Sequence, residues 1–431
     1  MNVVVIGTGL VGAATAFALH KAGIACTLYD QVDLVAAALN SNGTPLDVDF
    51  GDTGGSVLLA PSATRVLKSL GLFDEVVAQS STSPHINWYK MDGSAAVQLD
   101  VVPLNARMEP DPELQAPLQI LRSKLHSILL KACQQAGIRM FMGKKLVRVE
   151  EQAYSVTAHF ADGTTAKGDL LVGADGIHSA TRRTIFGESS KSQFTGVLGY
   201  IGVVDLVANN IKMNETCGFY IDRVKKELVC TFRVSEQIGA INIMTFHEPD
   251  PEETEGWRPY SDLPKHSARL AELVRGWGVP DHVEQMIRKA YRISPASIYD
   301  LPDLDAYHKG RTVLVGDAAH GMVPNAGLGL GTGMEDVGAL FELFKRLPDQ
   351  KDLHSVLSIY SKLRVPQATA NANRSREMAK QYYSSSVLGP SFSHFLLRAG
   401  IFAFNHNLMK FYSIFDCPKE VEKAIASMPK A

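Results

Sequence analysis

Glycines at two places in the chain have the spacing of turns that approach a phosphate or a flat cofactor. In GTGLVG, Gly7, Gly9 and Gly12 follow the β-branched run NVVVI. A helical pattern continues from them and ends at Gly23. A second stretch, residues 316–338, contains seven glycines and includes the end of the strand-like run TVLVG. Glycine allows tight turns and close approach of a ligand to the backbone, so both stretches are candidate binding turns.

The first turn has the full context of a dinucleotide-binding unit. Gly7 permits the tight turn, Gly9 lets a pyrophosphate approach, and Gly12 lets the helix pack on the strand. The next strand, ACTLYD, ends in Asp30, about 20 residues beyond the glycines, where an acid binds the hydroxyls of a ribose. This order of strand, glycines, helix, strand and acid predicts binding of NAD(P) or FAD.

Three further segments carry candidate contacts. A Gly-Gly turn that includes Gly55 precedes the apolar run SVLLA. Arg122 stands at the start of the helical pattern LRSKLHSILLKACQQAG, where a basic residue taken alone indicates a solvated helix face. Asp175 follows the strand-like run DLLVG in KGDLLVGADGIHSATRR. The chain does not continue as the regular βα units of an NAD dehydrogenase.

Together, four motifs resemble those of the single-component FAD-dependent aromatic hydroxylases, the p-hydroxybenzoate hydroxylase and salicylate hydroxylase type. They are GTGLVG with Asp30, LRSKL with Arg122, GADGIHSATRR, and GDAAHGMVPNAGLGLG, and they follow the family's order over residues 1–376. The resemblance implies a monooxygenase that uses FAD, NADPH or NADH, and O₂. Such an enzyme hydroxylates a small aromatic or heteroaromatic molecule through a flavin C4a-hydroperoxide. It also implies why two turns are present, because FAD is extended and distant parts of the chain hold its two ends.

The resemblance implies a set of cofactor-binding residues. Those at the ADP end are Gly7, Gly9, Leu10, Val11, Gly12 and Asp30. Those at the flavin end are Gly327, Leu328, Gly329, Leu330 and Gly331, and Asp317 would take a ribityl hydroxyl or lie near the pyrophosphate. Further candidates are Gly55, Arg122, Asp175 and Arg182, the last two near the pyrophosphate. Asp175 is alternatively a turn residue before Gly176, and His320 is either a catalytic base or a support for its loop.

The sequence departs from the family's pattern at four positions. Gln31 follows Asp30 where Arg is common, Leu328 replaces a usual Gln, and Gly331 replaces a common Asn. Backbone contacts to FAD survive these changes. Ile201 stands where many relatives have an Arg near the flavin, so a substrate-binding role of that Arg does not carry over.

The substrate is expected between the β-rich insert and the flavin. We assign Tyr200, Tyr220 and Phe232 to its wall and Pro324 to the opposite flavin face, each with core packing as the alternative. A tyrosine there would hydrogen-bond a phenol or help to deprotonate it. No catalytic residue is identified, and no metal site is expected.

Other functions are weighed against the same residues. A flavin halogenase would need W-x-W-x-I-P, but the three tryptophans stand far apart. A hydrolase would need a G-x-S-x-G elbow, and an NAD-binding protein without flavin would not need GDAAH. The alternatives kept are a flavoprotein epoxidase, an oxidase or reductase of the same fold acting on a non-aromatic substrate, and a non-catalytic regulatory flavoprotein.

The elements that must position these residues indicate an α/β fold. We predict a Rossmann-like FAD-binding domain of the glutathione-reductase type, interrupted by a β-rich substrate domain and followed by a helical C-terminal region. The strand-like runs VLGYIGVVDL, CGFYI, ELVCTFRV and AINIMTF predict an antiparallel sheet in the insert. The FAD-binding domain is assigned to residues 1–78, 107–182 and 299–376, the substrate domain to 79–106 and 183–298, and the C-terminal helices to 377–431.

Composition sets broad limits. The chain has 431 residues, 45% of them hydrophobic, and a net charge of −2, which gives no reason to expect a nucleic-acid partner. Five scattered cysteines favour a reducing compartment, and we expect a cytoplasmic protein without a signal peptide. The aromatic-rich segment FSHFLLRAGIFAFNHNLMKFYSIF is expected to be a packed helix; a membrane-surface contact or a homodimer contact is the alternative.

Overall fold

The secondary structure alternates helices with strands that belong to four sheets. The computed structural model describes residues 1–32, 54–246, 259–383, 390–406, 408 and 414–427. The strands are β1 Asn2–Ile6, β2 Ala25–Tyr29, β3 Ser56–Leu59, β4 Ser81–Thr82, β5 His85–Lys90, β6 Val97–Asp100, β7 Leu118–Leu121, β8 Arg139–Phe141, β9 Leu146–Glu151, β10 Val156–Phe160, β11 Thr165–Gly168, β12 Leu170–Gly173, β13 Gln193–Asp205, β14 Cys217–Asp222, β15 Glu227–Arg233, β16 Ile238–Thr245, β17 Arg292–Asp300, β18 His308–Lys309 and β19 Thr312–Leu314. The helices are α1 Leu10–Lys21, α2 Pro61–Ser69, α3 Phe73–Ala78, α4 Val101–Ala106, α5 Pro112–Gln115, α6 Arg122–Gln135, α7 Ala180–Phe186, α8 Leu263–Trp277, α9 Asp281–Arg288, α10 Asp317–His320, α11 Gly329–Arg346, α12 Leu353–Tyr383, α13 Pro390–Asn405 and α14 Cys417–Ala426.

A six-stranded sheet carries both glycine-rich turns. Its order is β18-β19-β12-β1-β2-β8, with β18 antiparallel to β19 and the other neighbours parallel. Val3, Val4 and Val5 are buried, as expected for a parallel strand covered on both faces. Because β1 and β19 both flank β12 in parallel, the turns that follow them reach the same edge of the sheet.

A seven-stranded sheet forms the insert, in the order β17-β13-β16-β15-β14-β5-β6. The four predicted runs are strands β13 to β16, and they pair antiparallel as expected. One pairing differs from the prediction, because β14 is parallel to β5. Strand β5 comes from a much earlier part of the chain, so no hairpin dictates its direction.

The predicted fold class is confirmed by the parallel sheet and the β-rich insert. Two small sheets, β3-β7-β4 and β11-β10-β9, complete the strand pairing. The domain boundaries stay a prediction, although β5 and β6 do join the insert's sheet from within 79–106. Helix α13 lies in the predicted C-terminal segment, of which 407 and 409–413 are outside the described residues. Among the helices described, none has the length and apolar character that crossing a bilayer requires.

A buried ion network joins helices α11 and α12. Arg364 donates from Nε to Asp336 Oδ1 and from Nη2 to Glu335 Oε2, each at 2.8 Å. All three side chains are buried. Burial alone would lower the pKa of Arg364, but the two carboxylates raise it overall, so the guanidinium stays charged. The network therefore fixes α12 against the helix that starts at the second glycine turn.

We expect Arg364→Met to destabilise the protein by about 3–5 kcal/mol, because it leaves two buried carboxylates without their cation. Urea unfolding of the purified protein measures this. Arg148→Met is the control, since Arg148 pairs with Glu150 at the exposed surface and should cost no more than about 1 kcal/mol. Equal losses in the two variants would contradict the assigned role of the network.

Candidate functional site

The turn after β1 brings backbone N–H groups to an open surface. Gly7 has a φ of +100°, and a Cβ there would lie 2.3 Å from the carbonyl oxygen of Ala174. A Cβ on Gly12 would lie 2.0 Å from the carbonyl oxygen of Gly7, so α1 packs directly on the turn. A Cβ on Gly9 would meet no described atom within 4 Å, and Gly9 caps α1 without a side-chain hydrogen bond. The unpaired N–H groups of the first helical turn therefore suit an anionic ligand.

Asp30 is held beside this turn at the end of β2. Its Oδ2 accepts hydrogen bonds from the Thr8 backbone N–H at 2.6 Å and from Thr8 Oγ1 at 2.8 Å. Its Oδ1 accepts from the Val32 N–H at 2.8 Å. The carboxylate is half-buried, which fits the predicted contact with ribose hydroxyls. That contact stays a prediction.

The second glycine-rich turn connects β19 to α11. Gly316 has a φ of +58° and Gly327 a φ of +65°, so both adopt the left-handed conformation that favours glycine. Asp317 is exposed between buried neighbours. A Cβ on Gly327 or Gly329 would meet no described atom within 4 Å. The N-terminus of α11 is therefore open to a ligand, as that of α1 is.

The two turns touch each other, although about 300 residues separate them in sequence. A Cβ on Gly316 would lie 3.0 Å from the side chain of Val11, and a Cβ on Gly333 would lie 2.7 Å from it. Leu10 is buried, and the exposure of Val11 is limited by this packing. The cofactor contact of Leu10 and Val11 stays a prediction, and it would use their backbone N–H groups.

Arg122 lies close to both Asp317 and the Gly54–Gly55 turn. Its backbone N–H donates to the carbonyl of Gly55 at 2.9 Å, and its Cδ would be 3.0 Å from a Cβ on Gly54. Burial lowers the pKa of Arg122, while the negative charge of Asp317 opposes that change. Within the described part of the chain, its guanidinium has no hydrogen-bond partner. A half-buried cation without such a partner fits a cofactor that carries phosphates and hydroxyls.

Asp175 is used within its own turn. Its Oδ1 accepts a short hydrogen bond from Ser179 Oγ, and its Oδ2 accepts from the N–H of Thr181 at 2.9 Å and from its Oγ1 at 3.0 Å. Burial raises the pKa of Asp175 overall. Its α-carbon lies beside Gly7, but its carboxylate holds the start of α7. The geometry thus favours the interpretation as a turn residue.

The guanidinium of Arg182 binds backbone carbonyls, and this geometry gives no support to its predicted place near the pyrophosphate. The side chain is buried, and its guanidinium donates to four backbone carbonyls, those of Ser190, Pro302, Ala318 and Ala319. These carbonyls occupy the N–H donors of the guanidinium, so Arg182 fixes the carbonyl end of α10.

His320 is buried and takes part in the same support. Its Nε2 lies 2.6 Å from Asp336 Oδ2, which also accepts the backbone N–H of Gly316 at 2.9 Å. The loop-supporting interpretation of His320 therefore agrees with the geometry.

A cavity of about 420 Å³ lies between the seven-stranded sheet and the second glycine-rich turn. Asp317 and residues 324–330 line one side, and the predicted Phe232 lines the other. Gly331 is set back in the first turn of α11, where a Cβ would lie 3.0 Å from Ser62 Oγ. The volume is that of a small-molecule site, and most of the lining is apolar.

Tyr200 and Tyr220 do not line this cavity, which corrects their assignment to the substrate wall. Both belong to the core between the sheet and helices α8 and α9. Tyr220 donates to Glu215 Oε1 at 2.9 Å on that side. Side chains alternate along a strand, so Phe219 and Tyr220 face opposite sides of the sheet. The cavity side is the one that carries Phe219 and Phe232.

Several lining residues escaped the sequence analysis. They include Trp88 on β5, Asn242 and Met244 on β16, and Met378 and Tyr382 on α12. The alternation of Cys217 with Phe219, and of Leu228, Cys230 and Phe232, was a usable signal for one shared face. Which face met the cavity depended on helices that pack from elsewhere in the chain.

Comparison with known proteins gives one family over most of the chain. A family model described as FAD binding domain matches residues 1–375. The chain is 28% identical over 390 residues to a 3-amino-4-hydroxybenzoate 2-monooxygenase of Streptomyces platensis, with 89% of this chain and 88% of that protein covered. It is also 28% identical over 399 residues to a salicylate hydroxylase of Pseudomonas putida, with 89% and 86% covered.

Solved structures have the same fold. Klebsiella pneumoniae HpxO complexed with FAD and uric acid matches with a TM-score of 0.76 at 21% identity, covering 94% of this chain and 95% of that one. A salicylate hydroxylase substrate complex matches with a TM-score of 0.73 at 22% identity, covering 98% of both.

Gly9 and Gly12, in the turn after β1, allow a matched pair of substitutions. We expect Gly9→Ala to weaken FAD binding by at least about tenfold, because its Cβ points into the open cradle, and to leave thermal stability of the FAD-free protein nearly unchanged. Gly12→Ala should instead lower the stability of the FAD-free protein, because its Cβ would overlap the carbonyl of Gly7. Flavin titration and thermal unfolding measure the two effects. Similar behaviour of both variants would overturn this division of roles.

Proposed function

The chain belongs to the FAD-binding-domain family, and on that premise we propose that it is an FAD-dependent monooxygenase that hydroxylates an aromatic or heteroaromatic small molecule with NADPH or NADH and O₂. The observation that carries the proposal is the meeting of two open glycine-rich turns beside a largely apolar cavity. A single extended cofactor would contact both turns and present its reactive ring to the cavity.

The residues present suit FAD. The N-terminus of α1 would bind the pyrophosphate, and Asp30 would accept hydrogen bonds from the ribose hydroxyls. Arg122 and Asp317 would contact the flavin half, where each has polar atoms without a hydrogen-bond partner among the described residues. When bound, FAD would supply the redox chemistry, which is hydride transfer from NAD(P)H and activation of O₂.

The protein contributes electrostatic stabilisation and the exclusion of water around that chemistry. The N-terminus of α11, from Gly329, directs unpaired N–H groups to the cavity, where they stabilise negative charge. Phe219, Phe232 and Trp88 cover the other side and keep water from the reacting atoms. Pro324 lies on the cavity wall beside the turn, where it would limit the position of a substrate ring.

Location and assembly are further parts of the proposal. All five cysteines are free thiols, which supports a cytoplasmic protein. Phe395, Leu396 and Phe402 are exposed on α13, and these side chains support a homodimer or membrane-surface contact over complete packing. Sedimentation and vesicle binding separate the two contacts.

The decisive experiment is turnover under ¹⁸O₂ with a panel of phenols, N-heteroaromatics and alkenes. We expect the purified protein to release FAD on denaturation, and a substrate to accelerate NAD(P)H oxidation and to gain one ¹⁸O atom, detected by mass spectrometry. Incorporation only into an alkene would favour the epoxidase. NAD(P)H consumption that yields hydrogen peroxide with every compound would favour an oxidase, and no redox turnover a regulatory flavoprotein.

The fraction of NAD(P)H consumption that leads to hydroxylated product tests the role of the cavity wall. With a substrate that is hydroxylated, we expect Phe232→Ala to raise the fraction of NAD(P)H that ends as hydrogen peroxide, because it opens the wall to water. FAD affinity should change by less than about tenfold.

Tyr220→Phe is the matched control on the opposite face of the same sheet. It should keep wild-type coupling, while losing about 1–3 kcal/mol of stability because Glu215 loses a buried donor. Peroxide formation that rises equally in both variants would place the substrate elsewhere.

A further inference from the structure

Most side chains on the cavity face of the seven-stranded sheet are uncharged; Arg292 on β17 is a buried exception, and it donates to the carbonyl of Gly54. One row across the strands runs from Ile201 through Asn242, Cys230 and Phe219 to Trp88, as the strand register pairs them. The next row contains Phe232 opposite Cys217. Burial raises the pKa of both cysteine thiols, so they are neutral near pH 7.

No lysine, arginine or histidine is among the described residues that line this cavity, although Arg122 lies close to Asp317 at its border. Asp317 is the one charged side chain among the described residues that line it, and it is negative. Ile201 contacts the Gly55 turn with an aliphatic group, since a Cβ on Gly55 would lie 2.6 Å from Ile201 Cγ2. Residues 33–53, which lead into the cavity-lining strand β3, contain four aspartates and no Lys, Arg or His.

These charges disfavour an anionic substrate. A carboxylate moved from water into an apolar cavity loses its hydration, and the loss is large unless a cation or several donors replace it. Asp317 is negative and Arg122 offsets its charge, so Asp317 provides no stabilisation for an anion. Both sequence relatives described above are named for aromatic carboxylates, 3-amino-4-hydroxybenzoate and salicylate. The lining residues of this chain do not provide a charged partner for such a group.

Neutral hydrogen-bonding groups are nevertheless available. Asn242 and Gln119 line the cavity from β16 and β7, and neither side chain has a hydrogen-bond partner among the described residues. Asn242 is the polar member of the otherwise apolar row that also holds Phe219 and Trp88. A buried amide oxygen without a partner costs stability, and a hydroxyl or N–H group on a ligand would donate to it.

We propose that the substrate is an uncharged aromatic molecule without a carboxylate, held by the apolar wall and hydrogen-bonded by the side-chain amide of Asn242. This inference rests on the proposed monooxygenase function and narrows its substrate class.

The test measures binding of four probes to the FAD-containing protein by calorimetry. Phenol is paired with salicylate, and 2-naphthol with 3-hydroxy-2-naphthoate, so that each pair differs by one carboxylate. We expect the uncharged member of each pair to bind at least about tenfold more tightly. Equal or tighter binding of the carboxylates would overturn the inference.

Substitutions at one wall position test the role of charge. Met244→Lys adds a cation to the wall, and it should shift the preference toward 3-hydroxy-2-naphthoate by at least about tenfold. Met244→Leu is the matched control and should keep the wild-type preference. An unchanged preference in a Met244→Lys protein that retains FAD would contradict the charge argument.

Asn242→Leu tests the hydrogen bond without adding charge. In the wild type, 2-naphthol should bind more tightly than naphthalene. In the variant this advantage should shrink by about three- to tenfold, while the naphthalene affinity stays within about twofold. An unchanged advantage would remove Asn242 from the proposal.

The binding measurements do not depend on turnover, so the two proposals fail separately. Tight carboxylate binding with ¹⁸O in the product would reject the neutral substrate and keep the monooxygenase. A preference for uncharged probes without oxygen transfer to any compound would support the cavity chemistry and reject the monooxygenase.

Discussion

Close contacts at glycines hold the two glycine-rich turns together, because a Cβ atom at these positions would overlap a neighbouring group. Gly7 meets the carbonyl of Ala174 just after β12, and Gly333 on α11 meets Val11 on α1. Since β12 lies between β1 and β19, these contacts join three parallel strands at one edge. The open N-termini of α1 and α11 consequently lie on the same side of the molecule. Both ends of the cofactor site follow from this packing.

Buried polar side chains then fix the segment that carries Asp317. Asp336 binds the backbone of Gly316 and the ring of His320 from α11, and Arg364 neutralises it from α12. His320 and Arg364 lower the pKa of Asp336 although burial opposes this, so the carboxylate stays ionised. Arg182 on α7 donates to the carbonyls of Ala318 and Ala319, so buried side chains of α7 and α11 both bind this segment. Asp317 is left as an exposed carboxylate on a supported turn.

The sequence predicted correctly those elements whose pattern depends on neighbouring residues. The order of strand, glycines, helix and acid up to Asp30 predicted β1, α1 and β2, because each step depends on neighbouring residues. The assignment of Tyr220 to the wall was wrong because the choice of face depends on how α8 and α9 cover the sheet. The parallel pairing of β5 and the role of Arg182 were missed for the same reason, since their partners are far away in sequence. The assigned FAD contacts stay predictions.

The chain order of the parallel sheet affects how the protein can be made. Its central strands come from residues 2–6, 170–173 and 312–314, whereas every strand of the seven-stranded sheet ends by residue 300. At about 5–20 residues per second, a ribosome needs roughly 7–28 s to pass from β12 to β19. During that interval β1 and β12 lack their third partner, while the insert already has its own strands. The seven-stranded sheet can thus form before the parallel sheet that carries both glycine-rich turns. The parallel sheet stays incomplete until the last third of the chain is translated.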